Sequence, residues 1–485
     1  MLVLSASLLA GSGVEHSSPT VLSTSPVAHA TAADAATPLS IEFDQPVDRT
    51  SVTAATFRVF GRWSGPAAGE LKVDAGDRRI RFTPVEPFFA GERVMVSVSR
   101  EIRSADGTPL AHGHAWSFRV RTRGGGFDHP EAFRIPVRDP GEKTVQTYGA
   151  YAGDLDDDGW SDLAIVNERG HDIRVYRNDG AGGYGEPTAR YAVTPGMFPS
   201  PSEGADLNND GAMDLVVAGG GSDKVDVLLG NGAGGFQPSA TYTAGPSVRC
   251  IVVLDLDGDG FDDVVVASRL SSDLTLFRNQ GDGTLADATR VDTGGDRETA
   301  CAVADANGDG IQDVFVGALE SRELVLLLGD GEGGLAVSDR VTVDGLPWML
   351  AAGDVNGDGN ADVVSSNSRG HTASVALGDG EGGFLSVRDY PAGQRPLAID
   401  LGDLDGDGDL DMVVSSYDSA NFILFENDGQ GNYSVALTLP APAAGSCAVL
   451  HDRDNDGDLD ITGIDEIDDI LIFFENRGAA TPSGG

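Results

Sequence analysis

The chain has 485 residues, of which 76 are acidic and 33 basic, for a formal charge of −43. That imbalance argues against nucleic-acid binding and against a polybasic membrane contact. With 66 glycines and few stretches of amphipathic-helix period, the composition points to a turn-rich, all-β protein.

The opening run MLVLSASLLAGSG is apolar and then small, but lacks the Lys or Arg that precedes a secretory signal core. Residues 1–16 read as a truncated signal peptide or a disordered start. No later segment reaches the ~18 apolar residues of a membrane span. In residues 17–122 the runs LSIEFD, RRIRFTP, RVMVSVS and WSFRV alternate apolar and polar. That is the pattern of half-buried antiparallel strands in a sandwich, and the length suits an Ig-like domain.

From residue 154 onward a nine-residue motif recurs seven times, starting at 154, 206, 255, 305, 354, 403 and 452. Such a period of about 50 residues marks one supersecondary unit, copied and stacked. Each unit holds a small or apolar run, the motif, a β-branched run such as VVVAS, a third run such as VDVLLG, and a glycine turn into a fourth. Four short strands per repeat fit one propeller blade. The last unit stops after its third strand, and the fourth-strand signature appears instead at residues 124–137, in GGGFDHPEAFRIPV. If that strand completes the last unit, residues 124–476 close into a ring of seven blades with no open edge between first and last. Residues 477–485 read as a disordered tail.

Positions 1, 5 and 9 of the motif are Asp in every copy and position 6 is Gly; position 3 is Asp or Asn. The predicted ligands, at positions 1, 3, 5, 7 (through its carbonyl) and 9, are as follows. The first loop offers Asp154, Asp156, Asp158, Trp160 and Asp162, and the second Asp206, Asn208, Asp210, Ala212 and Asp214. The third offers Asp255, Asp257, Asp259, Phe261 and Asp263, and the fourth Asp305, Asn307, Asp309, Ile311 and Asp313. The fifth offers Asp354, Asn356, Asp358, Asn360 and Asp362, and the sixth Asp403, Asp405, Asp407, Asp409 and Asp411. The seventh offers Asp452, Asp454, Asp456, Asp458 and Asp460. Alternating carboxylates on a tight loop converge on one centre, and a cluster of hard oxygens suits Ca²⁺, with 6–8 ligands at ~2.3–2.6 Å. Up to seven Ca²⁺ are expected. Without a cation the carboxylates repel one another; with one, the loop becomes a staple between two strands. A single DxDxDG is commonly a plain surface turn, but seven in register, each with Asp at position 9, are not. An EF-hand is excluded because position 12 is Ile165, Val217 or Val266, inside a strand rather than a bidentate Glu.

The three cysteines, Cys250, Cys301 and Cys447, each precede a motif by four or five residues. They read as small buried side chains at equivalent repeat positions rather than as a disulfide framework.

In a four-stranded blade the metal loops share one face, and the second turns and inter-blade links share the other, where function usually lies. That second face is expected to carry Asn167, Arg169, His171, Asn367, Arg369 and His371 in second turns. Phe198, Arg249, Arg297, Trp348 and Arg395 fall in the links. Aromatic rings with Arg suit sugars, carboxylated glycans or peptides. No nucleophile elbow, HExxH or phosphate loop is present. His171 and His371, in similar turns of two blades, are the only pair suggesting acid–base chemistry of a polysaccharide-lyase kind.

The DxDxDGxxD loops with VLLGNGAGGF-like turns resemble the FG-GAP (VCBS-type) repeat, the blade of the integrin alpha-subunit propeller and of many secreted proteins. The resemblance implies a seven-bladed β-propeller with Ca²⁺ in the first hairpin of each blade. Residues 17–122 resemble bacterial Ig-like domains, through IRSADGTPLAHGHAWSFRV and neighbouring runs. The whole is expected to be a secreted or cell-surface adhesion module for a glycan or protein ligand. The alternatives are a carbohydrate-active enzyme and a structural spacer.

Overall fold

The computed structural model describes residues 17–478 except 75, 195 and 287. The expected signal-like start and all but the first two residues of the expected tail lie outside the described residues. Among the described residues there is no α-helix, only one 3₁₀ turn at Arg49–Ser51. Among these residues no helix is long and apolar enough to cross a membrane.

The first domain is a sandwich of two four-stranded antiparallel sheets. One runs in the order Val21–Ser25, Leu39–Phe43, Arg79–Pro84, Gly69–Val73. The other runs Gly65–Pro66, Phe57–Gly61, Arg93–Val98, His114–Arg119. Alternation, strict in Leu39–Phe43 and looser in the others, sends Leu39, Ile41 and Phe43, and opposite them Val94, Val96 and Phe118, into one core. Strands Val21–Ser25 and Gly69–Val73 lie at sheet edges and are exposed along most of their length. They therefore lack the apolar alternation that marks the others.

Seven four-stranded sheets follow, here called blades 1–7. Blade 1 is Thr147–Gly153, Asp162–Asn167, Asp172–Tyr176, Ala189–Ala192. Blade 2 is Pro199–Ala205, Asp214–Gly219, Lys224–Gly230, Phe236–Thr243. Blade 3 is Val248–Leu254, Asp263–Ser268, Asp273–Phe277, Thr289–Val291. Blade 4 is Glu298–Ala304, Asp313–Ala318, Glu323–Gly329, Leu335–Thr342. Blade 5 is Pro347–Gly353, Asp362–Asn367, Thr372–Gly378, Phe384–Pro391, and blade 6 is Pro396–Gly402, Asp411–Ser416, Asn421–Asn427, Tyr433–Pro440. Blade 7 takes Gly445–His451, Asp460–Asp465 and Ile470–Phe474 from the end of the chain, and Glu131–Pro136 from before blade 1. Phe133 of that returning strand stacks on Phe473 with ring centroids 4.4 Å apart. The first strands of successive blades pack side by side, and that of blade 1 packs on that of blade 7, so the propeller is closed.

The second strand of each blade is buried on both faces. That is why these strands read as unbroken apolar or small runs rather than alternating ones. Every first strand breaks register near its start, as between Val248 and Cys250. A bulge repeated seven times re-aims the inner strands in the same way at each blade.

The sandwich sits on the face of the acidic loops and covers one end of the propeller axis. Arg62, Trp63, Arg93 and Arg119 of the sandwich line an axial cavity of about 190 Å³ together with inner-strand residues such as Tyr151. Arg62 pairs there with Asp400 at 3.6 Å. All three cysteines are free and line the same cavity, and burial pushes the Cys447 thiol up to about 12.

Candidate metal loops and the opposite face

All seven loops are built by one hydrogen-bond scheme. The position 1 carboxylate accepts the N–H of the position 6 glycine, as Asp154 does from Gly159 at 2.8 Å and Asp354 from Gly359 at 2.8 Å. The position 5 carboxylate accepts the N–H of position 7, as Asp309 does from Ile311 at 2.7 Å. Position 6 has φ between +80° (Gly310) and +97° (Gly408, Gly457), where a side chain is strained. The chain is thereby bent so that positions 1, 3 and 5 turn towards one point.

Position 9 has a second task that the motif alone does not reveal. Its Oδ1 accepts the N–H of the residue sixteen further on, at the end of the third strand, in every blade. Examples are Asp263 from Asn279 at 2.7 Å and Asp411 from Asn427 at 2.9 Å. In blades 2 to 6 its Oδ2 also accepts the N–H of position 2. Position 9 is therefore a strut between loop and sheet, and any ion bound beside it shares oxygens already engaged. In four blades the partner is an Asn whose amide reaches on to the neighbouring loop. Asn178 donates to the Arg453 carbonyl at 2.8 Å, Asn279 to Leu207 at 2.7 Å, Asn427 to Val355 at 2.8 Å and Asn476 to Leu404 at 2.9 Å. These asparagines, in RND, RNQ, END and ENR, repeat at one offset from the motif and were legible on that ground.

Where position 3 is Asp, carboxylate oxygens of three acidic residues lie within 4.8 Å of one another: Asp154, Asp156 and Asp162; Asp255, Asp257 and Asp259; Asp403, Asp405 and Asp411; Asp452, Asp454 and Asp456. Where it is Asn, the side-chain amide donates to position 5 instead, as Asn208 to Asp210, Asn307 to Asp309 and Asn356 to Asp358, each at 2.9 Å. The donor set fits a hard cation, because oxygens in the Asp loops lack any donor. Asp156 Oδ1, Asp162 Oδ2, Asp255 Oδ1, Asp458 Oδ1 and Asp460 Oδ2 are buried with no hydrogen-bond partner. Burial pushes the carboxyls of Asp162 and Asp255 up to about 7, and those of Asp263 and Asp411 up to about 8; neighbouring carboxylates add to it. Part of the charge is met by arginines that sequence reading missed. Arg177 lies 2.7 Å from Asp156, Arg278 pairs with Asp257, and Arg453 lies 3.4 Å from Asp460 and also pairs with Glu475.

The sandwich reads the loops through their backbone. Trp63 accepts from Asp154, Arg100 donates to the Gly258 carbonyl at 2.7 Å and Ala115 to that of Gly310 at 2.7 Å. The segment that follows the sandwich does the same, Arg123 donating to Gly457 and Gly125 to Asp405, each at 2.6 Å.

On the opposite face the predicted ligand residues divide. Arg297, Trp348, Arg369, His371 and Arg395 line one cavity of about 460 Å³. His171, Phe198 and Arg169 are not part of it; His171 instead packs edge-on against Phe198 at 4.8 Å. The two histidines are thus not brought together as an acid–base pair. Arg249 faces the axial cavity, bonded to Ser200 at 3.3 Å and Glu168 at 3.5 Å, with its guanidinium 6.0 Å from the Trp348 ring. Asn167 and Asn367, expected in exposed turns, end their strands instead and are wholly buried. Asn167 bonds Thr147 and Asp172; Asn367 bonds Ser365, Thr372 and Ser374. They hold the turn and are not available to a ligand.

Residues 154–217, 206–266, 255–316, 305–365, 354–414 and 403–462 match the family described as FG-GAP-like repeat, and residues 15–120 match the bacterial Ig-like domain. No curated protein matches the chain. Among solved structures, BBS1N in complex with ARL6DN, soaked with lead, is similar at a TM-score of 0.51 and 13% identity, over 76% of this chain and 99% of that one. A protein from Lactobacillus plantarum reaches 0.49 at 14% identity, over 81% of this chain and 98% of its own. An Agrocybe aegerita lectin that recognises non-reducing terminal N-acetylglucosamine reaches 0.45 at 18% identity, over 82% of this chain and 98% of its own. At such identities a likeness concerns the fold alone.

Proposed function

Given that the chain belongs to the FG-GAP-like repeat family, with a bacterial Ig-like domain before the repeats, we propose that it is a calcium-held binding module that works outside the cell. Positions 1, 3, 5 and 9 of each loop, with the position 7 carbonyl, would hold the ion. Ca²⁺ would supply charge neutralisation, letting clustered carboxylates stay ionised beside a buried strand. Binding that favours the folded chain adds RT ln(1 + [L]/Kd), about 2.7 kcal/mol per site at a hundredfold excess over Kd. Extracellular modules commonly bind Ca²⁺ at ~10⁻⁴–10⁻³ M, which suits loops half neutralised by arginine or built with Asn.

The observation that carries the binding role is the division of the two faces. The sandwich is seated on the metal loops, through bonds such as Ala115 to Gly310. The face of second turns and links is left open, with Trp348, His371 and several arginines around one cavity. A module of this kind adheres to a glycan or a protein, the sandwich serving as spacer.

The test is a glycan and protein array probed with the full chain in calcium and in chelator. Binding that is lost on chelation and restored by Ca²⁺ is expected. Absence of binding to every polymer would leave a structural spacer, and release of unsaturated sugars from an acidic polysaccharide would make the protein a lyase.

A further inference from the structure

One cavity on the open face carries a local charge opposite to that of the chain as a whole. Its cavity spans blades 3 to 6, and four arginines line it: Arg269, Arg297, Arg369 and Arg395. Only two carboxylates share the lining, Glu320 and Asp418, and each is already engaged. Arg297 pairs with Glu320 at 3.1 Å and Arg395 with Asp418 at 3.7 Å. Among the described residues, no carboxylate pairs with Arg269 or Arg369. In a chain where 76 acidic residues face 33 basic ones, unpaired guanidiniums at one cavity are not a statistical surplus.

Arg269 is the stronger sign. Its Nε–H is buried without an acceptor, as is that of Arg249 nearby. Burial first, and then the like charges of Arg249 and Arg297, lower its pKa. A half-buried cation among cations is costly unless an anion completes the site. Beside these charges the lining is apolar, with Leu346, Trp348 and Leu397.

We propose that this cavity binds an acidic polysaccharide, with Arg269 and Arg369 taking the carboxylates of its uronate sugars and Trp348 covering an apolar sugar face. The inference rests on the reading that the open face is the ligand face, and it names the ligand class. A guanidinium fork matches a planar carboxylate with two parallel hydrogen bonds. Arg269 follows the strand that ends at Ser268 in blade 3, Arg369 lies in the second turn of blade 5 and Arg395 precedes the strand that begins at Pro396 in blade 6, so acidic groups spaced along one extended chain meet guanidiniums on different blades. An acidic peptide fits less well. Most of the lining comes from turns and links, while Leu397 and Trp348, the latter expected in a link, stand at the starts of their blades' first strands, so strand ends face the cavity and no strand edge is offered for backbone pairing.

The experiment is calorimetric titration of the calcium-loaded full chain with three probes of about equal length: oligogalacturonate, a neutral oligosaccharide and oligoglutamate. Oligogalacturonate is expected to bind and to weaken steeply with added salt. The double variant Arg269→Gln with Arg369→Gln is expected to lose at least about tenfold in affinity, at an unchanged melting temperature that reports intact folding. Equal binding of the neutral probe, indifferent to the double variant, would overturn the charge inference and keep the ligand-face reading. Tighter binding of oligoglutamate would reassign the site to an acidic protein. Silence of all three probes while the array gives another ligand would overturn this inference alone.

Discussion

The backbone N–H of Asp154, the first position of the first acidic loop, donates to the carbonyl of Trp63 in the sandwich at 2.6 Å. Bonds of the same kind join Arg123 to Gly457 and Ala115 to Gly310. The loops that would bind metal are therefore also the seat of the first domain, and their order and the domain's position form one equilibrium.

Metal removal should loosen that seat. In chelator, trypsin cleavage after Arg121 and Arg123, which lie at the junction of the domains, should speed up by about tenfold through local opening. An unchanged cleavage rate would mean that the interface holds without ordered loops.

The two roles of acidic positions can be separated within blade 6. Asp411→Ala removes the acceptor for Asn427 N–H and Leu404 N–H, both at 2.9 Å. It should cost about 2–4 kcal/mol without calcium, since buried donors lose their partner, and more with calcium, since a proposed ligand is lost as well. Asp405→Asn copies the Asn loops of blades 2, 4 and 5, where the amide donates to position 5. It should leave the metal-free melt within about 0.5 kcal/mol or raise it, while weakening calcium binding. Denaturation and calcium titration of both variants decide; equal destabilisation would refute the division.

Two glycines at position 6 distinguish backbone strain from domain contact. Gly310 and Gly359 have φ of +80° and +86°. A Cβ at Gly359 meets nothing within 4 Å, whereas one at Gly310 lies 1.8 Å from His114 Nδ1 of the sandwich. Both Gly→Ala changes should cost about 1–2 kcal/mol for the left-handed backbone, and Gly310→Ala measurably more. Identical melting temperatures would argue that the sandwich is not seated there.

The dependence on pH should reverse with metal. Without it, Asp263 and Asp411 are raised to about 8, chiefly by burial, against an unfolded value of about 4. Between about pH 4 and 8 the folded, metal-free chain keeps protons that the unfolded chain has released. Its stability therefore falls as pH rises through that window and levels off above it. Calcium displaces those protons, so the stabilisation it adds should grow over the same window. Melts with and without calcium at about pH 5.5 and 8 read this out; a constant gap would contradict it.

Much of the fold was legible because the loop writes its own geometry into residue type. Gly159 and its six counterparts must be glycine to turn left-handed, and Asp at positions 1 and 5 caps the turn it starts. The returning strand at Glu131–Pro136 left its trace in a third strand, Ile470–Phe474, with no partner after it. The seating of the sandwich left little trace, because its bonds end largely on backbone carbonyls of the loops, as Arg100 N–H does on Gly258 and the Arg58 side chain on Asp206 at 3.0 Å, and a carbonyl marks no residue type. Arg169 and Arg369 look alike in sequence, yet only Arg369 lines the open cavity. The difference comes from neighbours in other blades, which ring closure alone brings near. Asn167 and Asn367 looked like turn residues and proved to be buried partners of the strands they end.

The most direct measurement is calcium titration of the chelator-treated full chain, followed in parallel by calorimetry and by melting temperature. We expect uptake at several sites in the millimolar range or tighter, with the Asp loops filling before the three Asn loops and the melt rising throughout. Absence of uptake at millimolar Ca²⁺, with one melting temperature in calcium and in chelator, would show that the acidic loops stand without metal.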